Sequence, residues 1–194
     1  MIRSVIWQIL NSSLRFERGR AVNSKIDISS VADLLAHVKA METEAMERYQ
    51  DLAEQMEVHH NSETAELFRK MAHVESLHVA KVLERAEGID LPHIPPWEYK
   101  WIDGQTPEAA SAENTHYLMT PHHALRLALG AEKRALDFFT QIVAQSEAGP
   151  IHDLASELRD EEHEHVELIR AWLDKTPEPD EGWDDDPDPP MLQE

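Results

Sequence analysis

Charged residues stand in this chain where a helical bundle needs leucine. Around the run LRDEEHEHVELI, residues 158–169, the apolar positions are Ile151, Ala155, Leu158, Ile169 and Trp172. Their three- and four-residue steps are those of a buried helical stripe. Continuing the count between Leu158 and Ile169 reaches Glu162 and His165. A second stripe, Thr64, Phe68, Met71, Val82 and Arg85, is interrupted in the same way by Glu75 and His78. A third, Val31, Leu35, Val38, Ala45, Tyr49, Leu52 and Met56, lacks only position 42, which is Glu42. The fourth, Leu125, Ala128, Ala135, Phe139 and Ile142, is broken by Glu132.

The interruptions form an internal repeat. Glu42-x-x-Ala45-x-x-x-Tyr49 matches Glu132-x-x-Ala135-x-x-x-Phe139, and Glu75-x-x-His78-Val79 matches Glu162-x-x-His165-Val166, at offsets of 90 and 87 residues. Two helix hairpins of one design therefore bring four carboxylates and two imidazoles to one point in the core. Left unpaired there, the four carboxylates cost on the order of 10 kcal/mol, against about 5–15 kcal/mol of stability for a whole domain. Two divalent cations neutralise them. Glu and His three apart share a helix face, so one ion can meet both. Carboxylate oxygen and imidazole nitrogen without sulfur suit iron, with manganese as the alternative. The spacing leaves Glu75 and Glu162 free to bridge, with Glu42 and Glu132 as terminal ligands and one histidine for each metal.

Composition narrows the field. The 194 residues suit one ordinary domain. The absence of cysteine excludes disulfides, thiolate zinc sites and iron–sulfur clusters. It suits a cytoplasmic location. With 38 acids against 18 bases and a net charge of −20, nucleic acid is not an expected partner. No apolar run reaches the roughly 18–20 residues of a transmembrane helix.

Three parts are expected. Residues 1–29 form an N-terminal arm or extra helix, with Ile2, Val5, Ile6, Ile9 and Phe16 on an apolar face among five basic residues. The arm docks on the bundle or a neighbouring subunit, with peripheral membrane contact as the alternative. Residues 30–175 form the bundle. Residues 176–194 form an acidic, proline-rich, disordered tail, with Trp183 or Met191-Leu192 as anchors should it dock. Within the bundle, Ser30 and Asp33 mark the start of a helix reaching Val58. A short break predicts an antiparallel return over residues 62–87, ended by Gly88. Pro121 and Pro150 open the third and fourth helices. Between the second and third helices, residues 89–120 form a crossover long enough to leave the two parallel. Trp97, Tyr99 and Trp101 are expected to pack it down, with a short helix near residues 107–111. It shows no chemistry of its own. His163, Glu164, His73 and Glu161 are expected to be solvated, and His59, His60, His122 and His123 to be surface or capping groups. Tyr49 and His37 are candidates for touching the ligands.

Residues 30–174 resemble the ferritin-like superfamily, and most closely the rubrerythrin di-iron domain. Glu42-x-x-Ala45-x-x-x-Tyr49, Glu75-Ser-Leu-His78, Glu132 and Glu162-His-Glu-His165 carry the resemblance. It implies an all-α four-helix bundle, dimeric or larger, with two iron ions held by Glu42, Glu75, His78, Glu132, Glu162 and His165. The implied activity is reduction of hydrogen peroxide or dioxygen. Ferroxidation with iron storage or delivery is the first alternative, and a di-iron oxygenase acting on an organic substrate the second. Two features depart from typical rubrerythrins. The chain has no cysteines for a rubredoxin domain, so a separate electron-donor protein is expected. The position three residues beyond Glu132, an extra glutamate in typical rubrerythrins, is Ala135. The site therefore reads as a symmetric six-ligand form.

Overall fold

The computed structural model describes residues 26–102, 104–108 and 115–185. These form four long helices: α1 (Val31–Val58), α2 (Ser62–Arg85), α3 (Pro121–Gln145) and α4 (Pro150–Leu173). There is no strand among the described residues. Residues 1–25 of the expected arm, residues 109–111 of the expected short helix, and Met191-Leu192 lie outside them.

The helix boundaries follow local chemistry. Ser30 caps α1, its side chain accepting from the Asp33 amide at 3.0 Å. The Asp33 carboxylate does not close the reciprocal half of the box. It accepts instead from the Ser29 amide and hydroxyl, each at 2.8 Å. Asn61 caps α2 and also donates to the Tyr117 and Met119 carbonyls at 3.1 and 2.7 Å. α2 ends at Arg85, two residues before the expected end, because a turn begins at Ala86 and leads to Gly88 at φ +77°. At α3, Pro121 occupies the first turn and Thr120 forms a capping box with His123.

Two apolar clusters fill the bundle. One joins Leu34, Leu35 and Val38 of α1 to Val82, Phe138, Phe139, Ile142, Ala155 and Leu158. The other joins Tyr49, Leu52 and Met56 to Phe68, Met71, Leu125, Ala128 and Ile169. The first draws on the start of α1 and α4 and the end of α2 and α3; the second reverses this. Hence α2 runs parallel to α3, and α1 to α4, as the crossover requires. The two hairpins touch through both of these pairs. The interrupting acids of all four helices fall in the layer between the clusters.

The crossover runs the length of the bundle. A single 3-10 turn at Pro96–Glu98 turns Trp97 out to solvent, at 82% exposure, contrary to the expectation that it packs inward. Trp101 is buried and meets Phe138 edge-on, and Tyr99 packs beside it. At the other end of the chain, Trp183 lies against His123, with ring centroids 3.9 Å apart. The described start of the acidic segment therefore folds back in turns onto the bundle.

Candidate metal centre

Each hairpin delivers one triad. Glu42 projects from α1, and Glu75 and His78 from one face of α2. Glu132 projects from α3, and Glu162 and His165 from one face of α4. All four carboxylates are buried, none more than 8% exposed. His78 Nδ1 lies 2.9 Å from Glu75 Oε2 and 3.4 Å from Glu42 Oε2. His165 Nδ1 lies 3.3 Å from both Glu132 Oε2 and Glu162 Oε2. The two imidazoles stack with centroids 4.7 Å apart and 4° between planes, so the triads meet face to face. Within each triad, three donor atoms lie within 4.8 Å of one another, a spacing that could hold a metal ion.

The electrostatics record how crowded this layer is. Burial drives Glu75 up to about 7, opposed by its hydrogen bond to His78 and assisted by the charges of Glu42 and Glu132. Burial drives Glu162 up to about 8, against its hydrogen bond to His165. Burial alone would lower both histidines. Hydrogen bonds to Glu42 and Glu75 instead carry His78 up to about 10, and those to Glu132 and Glu162 carry His165 up to about 10. The surrounding acids thus favour the protonated imidazole where the triads' donor atoms converge. The compensation is incomplete, because buried Glu42 Oε2 has only His78 Nδ1, 3.4 Å away, as a partner among the described residues. The donor set is oxygen and nitrogen, with no thiolate, and fits a pair of divalent iron or manganese ions.

A fifth acid joins them, and it comes from the crossover. Glu108 is 5% exposed, and its donor oxygen lies with those of Glu42 and Glu162 inside one 4.8 Å group. Burial first, then the charges of Glu42, Glu162, Glu75 and Glu132, push its carboxyl well above the usual range. The six-ligand reading and the expectation of a chemically silent crossover both missed it. No periodicity marks a residue on a loop. The one available hint was Ala135, an apolar residue where the resemblance led one to look for another acid.

The other candidates sort by position. Tyr49 is buried beside the site, stacks on Phe68, and is pushed well above the usual phenol range by burial and the nearby charges of Glu75 and Glu132. His37 is fully buried but serves the fold: its ring nitrogens meet the Asp33 carbonyl at 2.8 Å and the Lys100 amide at 3.3 Å. His73, His163 and Glu164 are exposed, whereas Glu161 is half-buried and paired with Arg85. His123 caps α3 as expected.

The surroundings of the site differ on its two flanks. Between α2 and α4, a cleft of about 90 Å³ reaches Glu75, His78, Glu132 and His165. Val74, Leu168 and Trp172 at its lining are part-exposed. On the side of α1 and α3, the crossover closes over the acids through Glu108.

A helical bundle in which two hairpins each bring a Glu and a Glu-x-x-His to one buried point is a ferritin-like bundle of the di-metal kind. The comparisons agree. The family model described as Rubrerythrin matches residues 33–173, so the chain belongs to the rubrerythrin family. It is also similar to the crystal structure of an uncharacterized conserved protein from Magnetospirillum magnetotacticum MS-1. That match has 41% identity and a TM-score of 0.58, covering 78% of this chain and 98% of the other. No curated protein matches the chain. No helix among the described residues is long and apolar enough to cross a membrane.

Proposed function

We propose that this protein is a di-iron oxidoreductase that reduces hydrogen peroxide or dioxygen. Glu42, Glu75 and His78 would hold one ion, and Glu132, Glu162 and His165 the other. The observation that carries the reading is the pair of buried, face-to-face triads, one from each half of an internal repeat. Bound iron would supply two electrons to the oxidant. The remaining work belongs to the chain. The apolar clusters above and below fix the four helices and hence the ligand positions. The crossover shields one flank from water. His78 and His165 would each offer a ring nitrogen to a bound ion and give up its proton in doing so, so that the cation replaces the proton's charge in the layer.

Cleft size supports a small oxidant over an organic substrate. Its roughly 90 Å³ compares with about 300–1,000 Å³ for pockets that enclose drug-sized ligands. Peroxide and dioxygen need far less room.

Anaerobic titration with Fe(II), followed by stopped-flow mixing with peroxide or dioxygen, tests the proposal. Saturation at two irons per chain and faster oxidation by peroxide is the expected result. Faster oxidation by dioxygen, with continued uptake well beyond two irons, would transfer the reading to ferroxidation and iron storage. No saturation near two per chain would overturn the di-iron assignment.

A further inference from the structure

We propose that Glu108 is a ligand of the metal pair, delivered by the crossover rather than by any of the four helices. The inference rests on the di-metal reading above. It begins with a buried carboxyl that has no internal explanation. Glu108 is 95% buried as a residue, and its Oε2 has no hydrogen-bond partner. Buried carboxyl oxygens are ordinarily satisfied, and an orphan calls for a missing partner. The charges that act on Glu108 most strongly are those of Glu42, Glu162, Glu75 and Glu132, which repel a carboxylate rather than pair with it. Five acids converging on one layer need cations.

Position makes the cation a shared one. Glu42 belongs to the first triad and Glu162 to the second, and Glu108 offers an oxygen within 4.8 Å of both. Glu42 Oε2 has only His78 Nδ1, 3.4 Å away, as a partner among the described residues. Glu108 thus meets an acid of each triad on the flank that the crossover closes.

Backbone anchoring argues against an accident of loop placement. The Thr106 hydroxyl donates to the Glu44 carboxylate on α1. Arg134 Nε on α3 donates to the Pro107 carbonyl at 2.8 Å. The residue before Glu108 is therefore tied to α3, and the one before that to α1. Both ties direct the Glu108 side chain between the helices. It follows that metal loading fastens the crossover, and that the crossover reports whether the site is loaded.

The test uses Co(II) as an anaerobic probe, because its visible bands change with coordination. The full chain is compared with Glu108→Gln, which keeps the shape and removes the charge, and Glu108→Asp, which keeps the charge and shortens the reach. The metal-free melting curve checks that each variant folds. The wild type should bind two Co(II) ions, and amides 104–108 should gain protection from hydrogen exchange on loading. Both variants should show altered visible bands and lose that protection, with binding weakened at least about tenfold. Weaker binding with unchanged bands and intact protection would overturn the proposal, since it would show only a distant charge effect. Should one variant not fold, the other decides. A wild type that fails to take up two ions would overturn the di-metal reading itself, whereas a wild type that does so, beside variants indistinguishable from it, overturns only the role of Glu108.

Discussion

Loading the two triads at neutral pH should expel about three protons per chain. In the metal-free cluster His78 and His165 stand at about 10, so each carries a proton at pH 7. A metal needs the bare nitrogen. Glu75 at about 7 is half protonated at that pH, and Glu162 at about 8 mostly so. Together the four groups hold about three protons at pH 7 and about two at pH 9. The same count sets the slope of affinity against pH. The overall constant for binding the pair should rise by about three decades per unit near pH 7 and about two near pH 9. Calorimetric titration with Co(II) in two buffers of different ionisation enthalpy measures the release directly. Release of less than about one proton at pH 7, or an affinity that stays flat between pH 6.5 and 8, would refute the reasoning. Such a result would mean that the imidazoles are neutral in the metal-free protein and that the acids balance one another some other way.

Three further outcomes are expected. The metal-free protein should lose stability from pH 7 to pH 10, because Glu162, His78 and His165 hold protons in the fold above the pH at which the unfolded chain releases them; this contribution is lost as pH rises through about 8 and about 10. A thermal midpoint that climbs over that window contradicts this. Glu75→Ala combined with Glu162→Ala should abolish tight binding of the metal pair, and metal analysis showing two irons retained would refute the ligand assignment. His37→Ala should cost about 2–4 kcal/mol in denaturant unfolding, from an emptied buried site and the lost bond to the Lys100 amide, yet leave the two-metal stoichiometry intact. A cost below about 1 kcal/mol would mean that His37 does not fasten the crossover.

What could be read from the chain divides by whether a residue sits on a regular element. Glu42, Glu75, His78, Glu132, Glu162 and His165 announce themselves because each breaks an apolar period that neighbouring residues establish. The break has meaning only where the period is real, and the helices α1 to α4 bear it out. The parallel course of α2 and α3 was legible from crossover length alone, since residues 89–120 are too many for a hairpin. Trp97 was misjudged for the opposite reason. An aromatic residue on an irregular segment has no face assigned by periodicity, and the Pro96–Glu98 turn sends it outward while Trp101 goes in. His37 lay next to the right stripe on α1 but near its start, level with the first apolar cluster rather than with the acids. One and a half turns separate it from Glu42, enough to exchange a metal layer for a tryptophan.

Glu108 shows the same limit more sharply and suggests how it can be worked around. Charge is conserved in a buried layer even when sequence period is not. Helices that present four acids and two imidazoles to a metal pair leave one flank of the site to be covered, and whatever covers it must either exclude water with apolar atoms or contribute a ligand. Here α3 carries Ala135 one turn beyond Glu132, fully buried in the first apolar cluster, so the helix adds no further acid there. The crossover is then the remaining source of donors on that side. Among its described acids, Glu108 is buried in the site, and it is directly preceded by two residues fastened to α1 and α3. The ion pair of Lys100 with Asp33 at 2.8 Å and the His37 contact fix the segment further upstream, so the loop arrives at the site already ordered at two levels. A connection held this firmly along the bundle behaves as a fifth wall of the metal layer. Its acids should therefore be weighed together with the helical ones, although nothing in their spacing draws attention to them.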